Sequence, residues 1–406
     1  MGVATGAFSP TVGQGPREGF QGYALRNGPL KLDNMEREPQ DETMTSGDTI
    51  GIWIPHLRIG GAERVALNLA EALCNEGMKV DVVVPETGEG FSLPTCEGIR
   101  LVDLGTGSVA ASPGALRRYM KREQPVAVIS HLSRCNVVLQ LAGLGLRDRP
   151  KLILVEHATP QAPDSLKGAM IQFLMKRLYP RADTLVAASE GNARDVEAFV
   201  GLAPGTVHQI FNPIVSPQMI ERAGAPAEHP WLGEGEPPLF VTLGRLNPVK
   251  DHDTLIRAFA RVRAERPCRL LMMGPGPLQE ELEALATTLE VGDSVELAGF
   301  VDNPHGIIAG ASAFVLSSRN EALPTALVEA LACGCPSAST DCKQGPREIL
   351  LDGELGPLAD VGSPESLAEA MAHVLDHPVD KERLRKRAED FTFQRAAKAY
   401  LELLDS

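Results

Sequence analysis

Short apolar runs that alternate with amphipathic helical patterns are the feature that most constrains the fold of this chain. Strands with few polar positions are typical of parallel sheets, because helices cover both faces of such sheets. The runs form two series, which a stretch rich in Pro, Gly, Ala and Glu separates. We predict strands at 49–55, 79–85, 126–131, 151–157 and 182–189, and then at 238–245, 268–276, 294–300, 311–318 and 335–340. The pattern predicts two doubly wound α/β domains.

The length of 406 residues agrees with two domains, because domains average roughly 150 residues. Residues 1–48 are rich in Gly and Pro and lack periodicity, so we predict a disordered tail. Met35 and Met44 leave open a true start further along the chain. The remaining predicted units are an N-terminal domain at 49–212, a linker at 213–237, a C-terminal domain at 238–390 and a terminal helix at 391–406. Ligands are expected in the cleft between the domains, at the carboxyl ends of the strands.

The net charge of −14 argues against a nucleic-acid binder, whose surface is normally basic. No apolar run reaches the roughly 18 residues that span a bilayer, and no secretory signal is apparent. The seven cysteines include no CxxC pair, so we expect reduced thiols in a cytoplasmic protein. Two basic amphipathic stretches, 115–125 and 166–183, are either solvated helix faces or a peripheral membrane contact.

The stretch RNEALPTALVEALACGCP, residues 319–336, follows a predicted strand and predicts an anion site. Pro324 suits the first turn of a helix, because it lacks the N–H that would be unpaired there. Residues 325–327 then offer free backbone N–H groups at the positive end of the helix dipole. Glu321 precedes this point and Glu329 follows it, so two carboxylates can accept from hydroxyls on either side of a phosphate. A ligand with hydroxyls on both sides of phosphates is a nucleotide sugar.

A second anion element follows the strand at 238–245, where Arg245 and Lys250 stand five residues apart. Arg engages phosphate in a bidentate manner and Lys acts as a point charge, so the pair suits a diphosphate. Asp251 and Asp253 are better placed to cap the next helix than to bind a metal, and we expect no metal ion. The Gly-Gly pair after the first strand lets a ligand approach the backbone closely, although it is a weak signal alone.

The order and spacing of five features resemble those of the group-1 (family four) retaining GT-B glycosyltransferases. The features are Arg245 with Lys250, GPGPLQEEL, LAGFVDNP, the two glutamates in their block, and GPREIL. The start GGAERV and the ending GPREIL are similar to the subgroup that builds lipopolysaccharide and exopolysaccharide. The resemblance covers residues 50 to about 400. It implies the GT-B fold, in which two Rossmann-like domains face a central cleft. The N-terminal domain would then take the acceptor, and the C-terminal domain would bind the nucleotide sugar.

The resemblance also implies roles for single residues. His157 matches a histidine near the reacting sugar, so His157 and Glu321 are the catalytic candidates. Glu329 would bind the ribose, while Glu321 and Ala326 would face the donor sugar. Backbone and side-chain groups that would hold the donor diphosphate are those of Arg245, Lys250, Leu323, Pro324 and Thr325. The loop that would approach the phosphate or the acceptor contains Gly60 and Gly61.

Two further residues keep two interpretations each. His131 either lines the acceptor side or is a structural histidine, and Glu348 either caps the helix before residue 350 or contacts the donor. Glu190 stands where relatives often carry serine. Pro275 in GPGP replaces the glutamate that relatives often have, so the preference for a nucleobase stays open.

The resemblance implies a hexosyltransferase that moves a sugar from a nucleotide-sugar donor, with a UDP-sugar as the first choice, to a saccharide or lipid-linked saccharide. Configuration would be retained, no cofactor would be required, and the product would enter cell-surface polysaccharide. Cytoplasmic localisation is expected, with membrane association on the cytoplasmic face left open. Two alternatives are a degenerate GT-B protein that binds a nucleotide sugar without catalysis, and a GT-B nucleotide-sugar epimerase.

Overall fold

The computed structural model describes residues 30–31, 49–57, 61–88, 93–157 and 165–405. Within the predicted disordered tail, the described residues are Leu30 and Lys31, which form an edge strand paired with Val102 and Asp103. The rest of the predicted tail and Gly60 lie outside the described residues.

The first unit is an eight-stranded parallel sheet with helices on both faces. The strands lie in the order β1-β4-β3-β2-β5-β6-β7-β8. In chain order the elements are β1 (Leu30–Lys31), β2 (Thr49–Trp53), α1 (Gly61–Asn75), β3 (Lys79–Val84), β4 (Ile99–Asp103), α2 (Pro113–Glu123), β5 (Ala127–His131), α3 (Ser133–Gly143), β6 (Lys151–Glu156), α4 (Leu166–Leu178), β7 (Thr184–Ala187), α5 (Glu190–Val200) and β8 (Val207–Gln209).

The second unit is a six-stranded parallel sheet in the order β11-β10-β9-β12-β13-β14. One helix, α6 (Pro217–Gly224), lies in the stretch that joins the two sheets. The elements that follow are β9 (Leu239–Leu243), α7 (His252–Glu265), β10 (Arg269–Met273), α8 (Gln279–Thr288), β11 (Val295–Gly299), α9 (Pro304–Gly310), β12 (Ala313–Leu316), α10 (Thr325–Ala332), β13 (Ser337–Thr340), α11 (Pro346–Ile349), β14 (Leu358–Ala359), α12 (Pro364–Asp376), α13 (Lys381–Ala388) and α14 (Phe393–Asp405).

The last helix, α14, returns to the first unit and packs beside α1. Its apolar face is buried in the same core as β2 and β3, and burying each such side chain stabilises the packing by roughly 1.5–3 kcal/mol. The crossing is fixed by backbone hydrogen bonds from Ile214 and Val215 to the carbonyl of Phe391, at 2.9 and 3.0 Å. The chain therefore passes between the two sheets at two adjacent points.

Cysteine pairing differs from the expectation of seven reduced thiols. Cys74, at the end of α1, forms a disulfide with Cys96, which precedes β4. The other five cysteines are buried free thiols. Burial raises the pKa of the Cys268 thiol to about 11 and that of Cys333 to about 12, so these thiols stay protonated at neutral pH. In the part of the chain that the structure describes, no helix is long and apolar enough to cross a membrane.

Candidate active site

The candidate donor site lies at the carboxyl ends of β9 and β12, which are neighbours in the second sheet. The strand order reverses between them, and ligands of open α/β sheets bind at such a switch point. Two hydrogen bonds join the loops that follow these strands. Ser317 Oγ donates to the carbonyl of Lys250 at 2.7 Å, and the N–H of Arg319 donates to the carbonyl of Val249 at 2.8 Å.

Lys250 and Glu321 form an ion pair at the centre of this site, with 2.5 Å between Nζ and Oε1. The hydroxyl of Ser318 donates to the same carboxylate oxygen at 2.7 Å. Lys250 ends a short 3₁₀ helix, and its backbone N–H donates to Oδ1 of the N-cap residue Asn247 at 3.2 Å. The stem of Lys250 lies against Gly244. The side chains are 22% and 14% exposed, so both charges are largely shielded from water. Lys250, predicted to bind the phosphate, and Glu321, predicted to face the sugar, therefore contact each other directly.

Helix α10 starts at this site, as predicted, but its first turn differs in detail. Pro324 is the N-cap residue rather than a residue of the first turn, and no side chain caps the helix. The N–H of Leu327, predicted to be free, donates to the carbonyl of Pro324 at 3.2 Å. Among the described residues, nothing accepts from the N–H groups of Thr325 and Ala326. Two free amides remain for an anion.

Gly345, the first residue of GPREIL, holds the loop before α10 in place. Its φ of 87° lies in the left-handed region that favours glycine. A Cβ at this position would stand 2.5 Å from Cδ of Pro324 and 3.1 Å from Cα of Leu323. The GPREIL motif therefore sets the position of the helix start.

Arg245 follows β9 and is exposed, and no partner for it is found among the described residues. Its loop is bound to the GPGP loop, because the N–H of Leu246 donates to the carbonyl of Pro275 at 3.1 Å. A Cβ at Gly276 would stand 2.3 Å from the carbonyl oxygen of Leu246, so glycine permits this close approach. The guanidinium is thus free beside the site.

The predicted aspartate caps differ from the structure. Asp251 occupies the N-cap position of α7 with a φ of 50°, but its side chain caps no backbone N–H. Its carboxylate accepts from Thr254 Oγ1 at 2.8 Å and pairs with Arg319. Asp253 pairs with Arg257 on the helix surface. In the described ranges, no group of three or more His, Cys, Asp or Glu side chains could hold a metal ion.

His131, which is buried, and His157, which is half-buried, form a pair in the first unit, at the carboxyl ends of β5 and β6. Nδ1 of His131 lies 2.8 Å from Nε2 of His157, and the rings are stacked. Burial lowers the pKa of His157 to about 4, and burial together with His157 lowers the pKa of His131 well below its ordinary value. Both rings are therefore neutral at pH 7. His131 therefore belongs to the same site as His157, whichever of the two rings donates the hydrogen bond.

Next to this pair in the chain, Glu156 carries a buried carboxyl group in a hydrogen-bond network. Ser133 Oγ and Asn136 Nδ2 donate to it at 2.9 and 3.0 Å, and the hydroxyl of Tyr179 donates to it as well. Burial raises the pKa of Glu156, although these three donors oppose that shift. The network fixes the end of β6 and hence the backbone that carries His157.

Gly61, predicted to approach the phosphate or the acceptor, is the first residue of α1. This helix follows β2, which neighbours β5 in the first sheet.

Contacts between the two units involve residues whose roles the sequence left open. The N–H of Glu190, at the start of α5, donates to the carboxylate of Glu348 at 3.1 Å. Asp195 on α5 accepts from Lys343 Nζ at 2.9 Å and from the side-chain amide of Gln344. Glu348 therefore caps a helix of the other unit, an arrangement that neither interpretation from the sequence included.

Acid should destabilise this protein, because burial lowers the pKa values of three histidines. The pKa is about 4 for His157 and for His252, and that of His131 is also lowered. In the unfolded chain each takes a proton below pH ~6.5. Their contribution to stability is thus complete above pH ~6.5 and falls as the pH drops towards about 4. We expect His157 and His252 each to lower the free energy of unfolding by about 1 kcal/mol or more at pH ~5.

Denaturant unfolding at pH values from 7.5 to 4.5 measures this effect, with His157→Asn as the variant that removes one of these groups. The variant should show a shallower fall in the free energy of unfolding. An identical slope for both proteins would show that His157 does not titrate in this way.

Comparisons with known proteins agree with this geometry. The family model described as Glycosyl transferases group 1 matches residues 227–391, and that described as Glycosyltransferase Family 4 matches residues 59–215. The chain is 27% identical over 371 residues to an N-acetylgalactosamine-N,N'-diacetylbacillosaminyl-diphospho-undecaprenol 4-alpha-N-acetylgalactosaminyltransferase of Campylobacter jejuni, covering 87% of this chain and 99% of the relative. It is 26% identical to the lipopolysaccharide core biosynthesis glycosyltransferase LpsE of Rhizobium meliloti, covering 86% of this chain and 96% of the relative.

A solved structure shows the same fold. HepE of Anabaena in complex with UDP and glucose matches with a TM-score of 0.68 and 19% identity, over 88% of this chain and 99% of HepE. Two parallel-sheet units, with a helix start at the switch point of the second, define a GT-B protein and confirm the predicted fold. The chain belongs to the group-1, family 4 glycosyltransferases. The predicted roles of single site residues remain predictions.

Proposed function

We propose that this glycosyltransferase moves a hexosyl group from a nucleotide-sugar donor, a UDP-sugar first, to a saccharide acceptor with retention of configuration. The observation that carries the proposal is the Lys250–Glu321 pair beside the two free amides of α10. The site offers cations and N–H groups to a diphosphate, and a carboxylate to sugar hydroxyls. HepE was solved with UDP and glucose, which supports a uridine nucleotide.

The proposed chemistry follows from charge. The bond between the anomeric carbon and the diphosphate oxygen breaks, and negative charge develops on the leaving phosphate. Lys250, Arg245 and the amides of Thr325 and Ala326 would stabilise that charge without a metal. The acceptor oxygen then bonds to the anomeric carbon on the same face, and its proton passes to the departing phosphate. His157, neutral because of its pKa of about 4, would hydrogen-bond the sugar rather than supply a charge.

Glu321 is better suited to binding than to nucleophilic attack. Its Oε1 already accepts from Lys250 Nζ and from Ser318 Oγ. Donors on a carboxylate oxygen reduce its nucleophilicity, so a covalent route of the kind that retaining hydrolases use is disfavoured. We assign Glu321 to the sugar hydroxyls and to the orientation of Lys250.

For the acceptor we propose a lipid-linked saccharide in cell-surface polysaccharide synthesis. The names of two Campylobacter relatives describe acceptors linked to diphospho-undecaprenol or PP-undecaprenol, and a Rhizobium relative is named for lipopolysaccharide core biosynthesis. We place the protein in the cytoplasm at the membrane surface. The disulfide of Cys74 and Cys96 would be unusual there, so thiol trapping in intact cells should find both residues reduced if this placement is right.

Helix α4 supplies a surface for that membrane contact. Leu166, Met170 and Phe173 lie on one face at helical spacing and are 91%, 60% and 59% exposed. The helix has no acidic residue, Lys167 lies within this stretch, and Lys176 and Arg177 follow it in the last turn. An apolar stripe with basic neighbours on a chain of net charge −14 fits an anionic bilayer.

Replacing Leu166, Met170 and Phe173 together by serine should abolish flotation of the protein with anionic vesicles, because this triple substitution removes the apolar stripe. Ile220→Ser is the matched control, since Ile220 is an exposed apolar residue of α6, 47% exposed. The control should float like the wild type, and neutral vesicles should bind less. Equal flotation of the triple variant would place membrane contact elsewhere.

The proposed donor site is tested by thermal-shift screening with UDP, GDP, ADP and their sugar conjugates, with and without EDTA. A ligand that binds only the folded protein raises its melting temperature. We expect a shift with one nucleotide series, unchanged by EDTA. The absence of a shift with every nucleotide would overturn the donor site.

A further inference from the structure

His305, on a neighbouring helix, contacts Glu329, the residue that is predicted to bind the ribose. It is the second residue of α9 and directly follows the motif LAGFVDNP. Its Nε2 lies 3.1 Å from Oε2 of Glu329 on α10, and the two side chains are 17% and 18% exposed. The other ring nitrogen, Nδ1, is buried, and no partner for it is found among the described residues. The contact with Glu329 is thus the hydrogen bond that the structure gives this ring.

The chemistry of the two groups fixes which of them donates the hydrogen bond. An ionised carboxylate only accepts hydrogen bonds, so Nε2 of His305 carries the proton that is donated. Within the described chain, no group donates to the second oxygen of Glu329, Oε1. One oxygen is therefore held by the protein, while the other keeps its lone pairs for a ligand. Without the imidazole, a glutamate side chain has three torsions about which it can turn.

We propose that His305 is a positioning residue for ribose recognition. It holds Oε2 of Glu329 so that Oε1 accepts from a ribose hydroxyl of the donor nucleotide. His305 acts through Glu329 and contacts neither phosphate nor sugar. The inference rests on the proposed donor site, and it adds a residue that none of the sequence motifs contains.

Three substitutions separate the donated hydrogen bond from the shape of the ring. His305→Gln keeps an N–H at the reach of Nε2, His305→Asn carries the same amide one carbon shorter, and His305→Leu has no donor. Calorimetric titration measures the dissociation constants of UDP, GDP and ADP and of their 2′-deoxy and 3′-deoxy counterparts. For the nucleotide that binds, wild type and the Gln variant should prefer the ribose form by about tenfold, the scale of a hydrogen bond to a charged group.

The Asn and Leu variants should lose most of that preference, because the ribose form binds more weakly while the deoxy form is unaffected. In a Glu329→Gln background, His305→Leu should change nothing further. A folded Leu or Asn variant with the wild-type preference would overturn this inference alone. A Gln variant that behaves like Leu would also overturn it, by assigning the effect to the ring itself. Wild-type protein that binds no nucleoside diphosphate would instead overturn the donor site.

Discussion

Replacing Lys250 by alanine is expected to abolish measurable binding of the donor nucleoside diphosphate and to lower kcat/KM by at least about 100-fold. The ammonium is the partly buried cation beside the free amides of α10, and its present partner is a carboxylate rather than solvent. A diphosphate carries more negative charge than Glu321 and would compete for the same ammonium. Removing the charge leaves Arg245, which is exposed and more weakly positioned.

Titration calorimetry and steady-state kinetics measure this loss. Lys250→Met keeps the stem against Gly244 and should bind as poorly as the alanine variant. Arg257→Ala is the matched control, since Arg257 is a cation of the same unit that pairs with Asp253 on the surface. The control should bind like the wild type. Near-normal affinity in folded Lys250→Met would show that the diphosphate lies elsewhere.

Glu321→Gln is expected to lower kcat by about 100-fold while the affinity for the nucleoside diphosphate stays the same or rises. The carboxylate would face the sugar hydroxyls, so its loss affects the sugar part of the donor. At the same time the amide no longer competes with phosphate for Lys250. Calorimetry with the nucleoside diphosphate and rates with the whole donor separate the two effects.

Glu329→Gln gives the matched comparison, because the same change is made one helical turn into α10. This variant should bind the nucleoside diphosphate more weakly, since the ribose is part of that ligand. If Glu321→Gln lost nucleotide affinity and Glu329→Gln did not, the assigned sugar and ribose sides would be reversed.

Sequence patterns predicted the strands that have apolar runs, and they missed β4, whose run is interrupted by a charged residue. β5 and β6 are apolar runs and were predicted for that reason. β4 contains Arg100, which breaks the apolar run, and it was not predicted. In the fold, Arg100 forms two hydrogen bonds with Asp81 of β3, both at 2.8 Å. Such a partner lies on another strand and leaves no local signal. β8 and β14 have three and two residues, too few for a periodic pattern.

The candidate site shows the same division. Lys250 and Glu321 could be predicted because each follows a strand of a parallel sheet, and the fold gathers such positions at one edge. Their direct contact spans 71 residues and depends on β9 lying beside β12. The contacts of His305 with Glu329 and of Glu190 with Glu348 depend on helix packing between distant segments. A histidine on a short helix carries no signal of its own, so sequence reasoning missed His305.

The anomeric configuration of the sugar released from the donor tests the central claim most directly. Water can replace the acceptor, so the protein is incubated with each nucleotide sugar that binds, and the anomeric protons are followed by NMR. We predict that the donor signal falls while the nucleoside diphosphate and the free sugar of the same anomeric configuration appear first. Lys250→Met should release neither. Release of the opposite anomer would contradict retention. If the protein cleaved none of the nucleotide sugars that it binds, with or without added saccharide acceptor, that result would contradict the transferase mechanism drawn from this site.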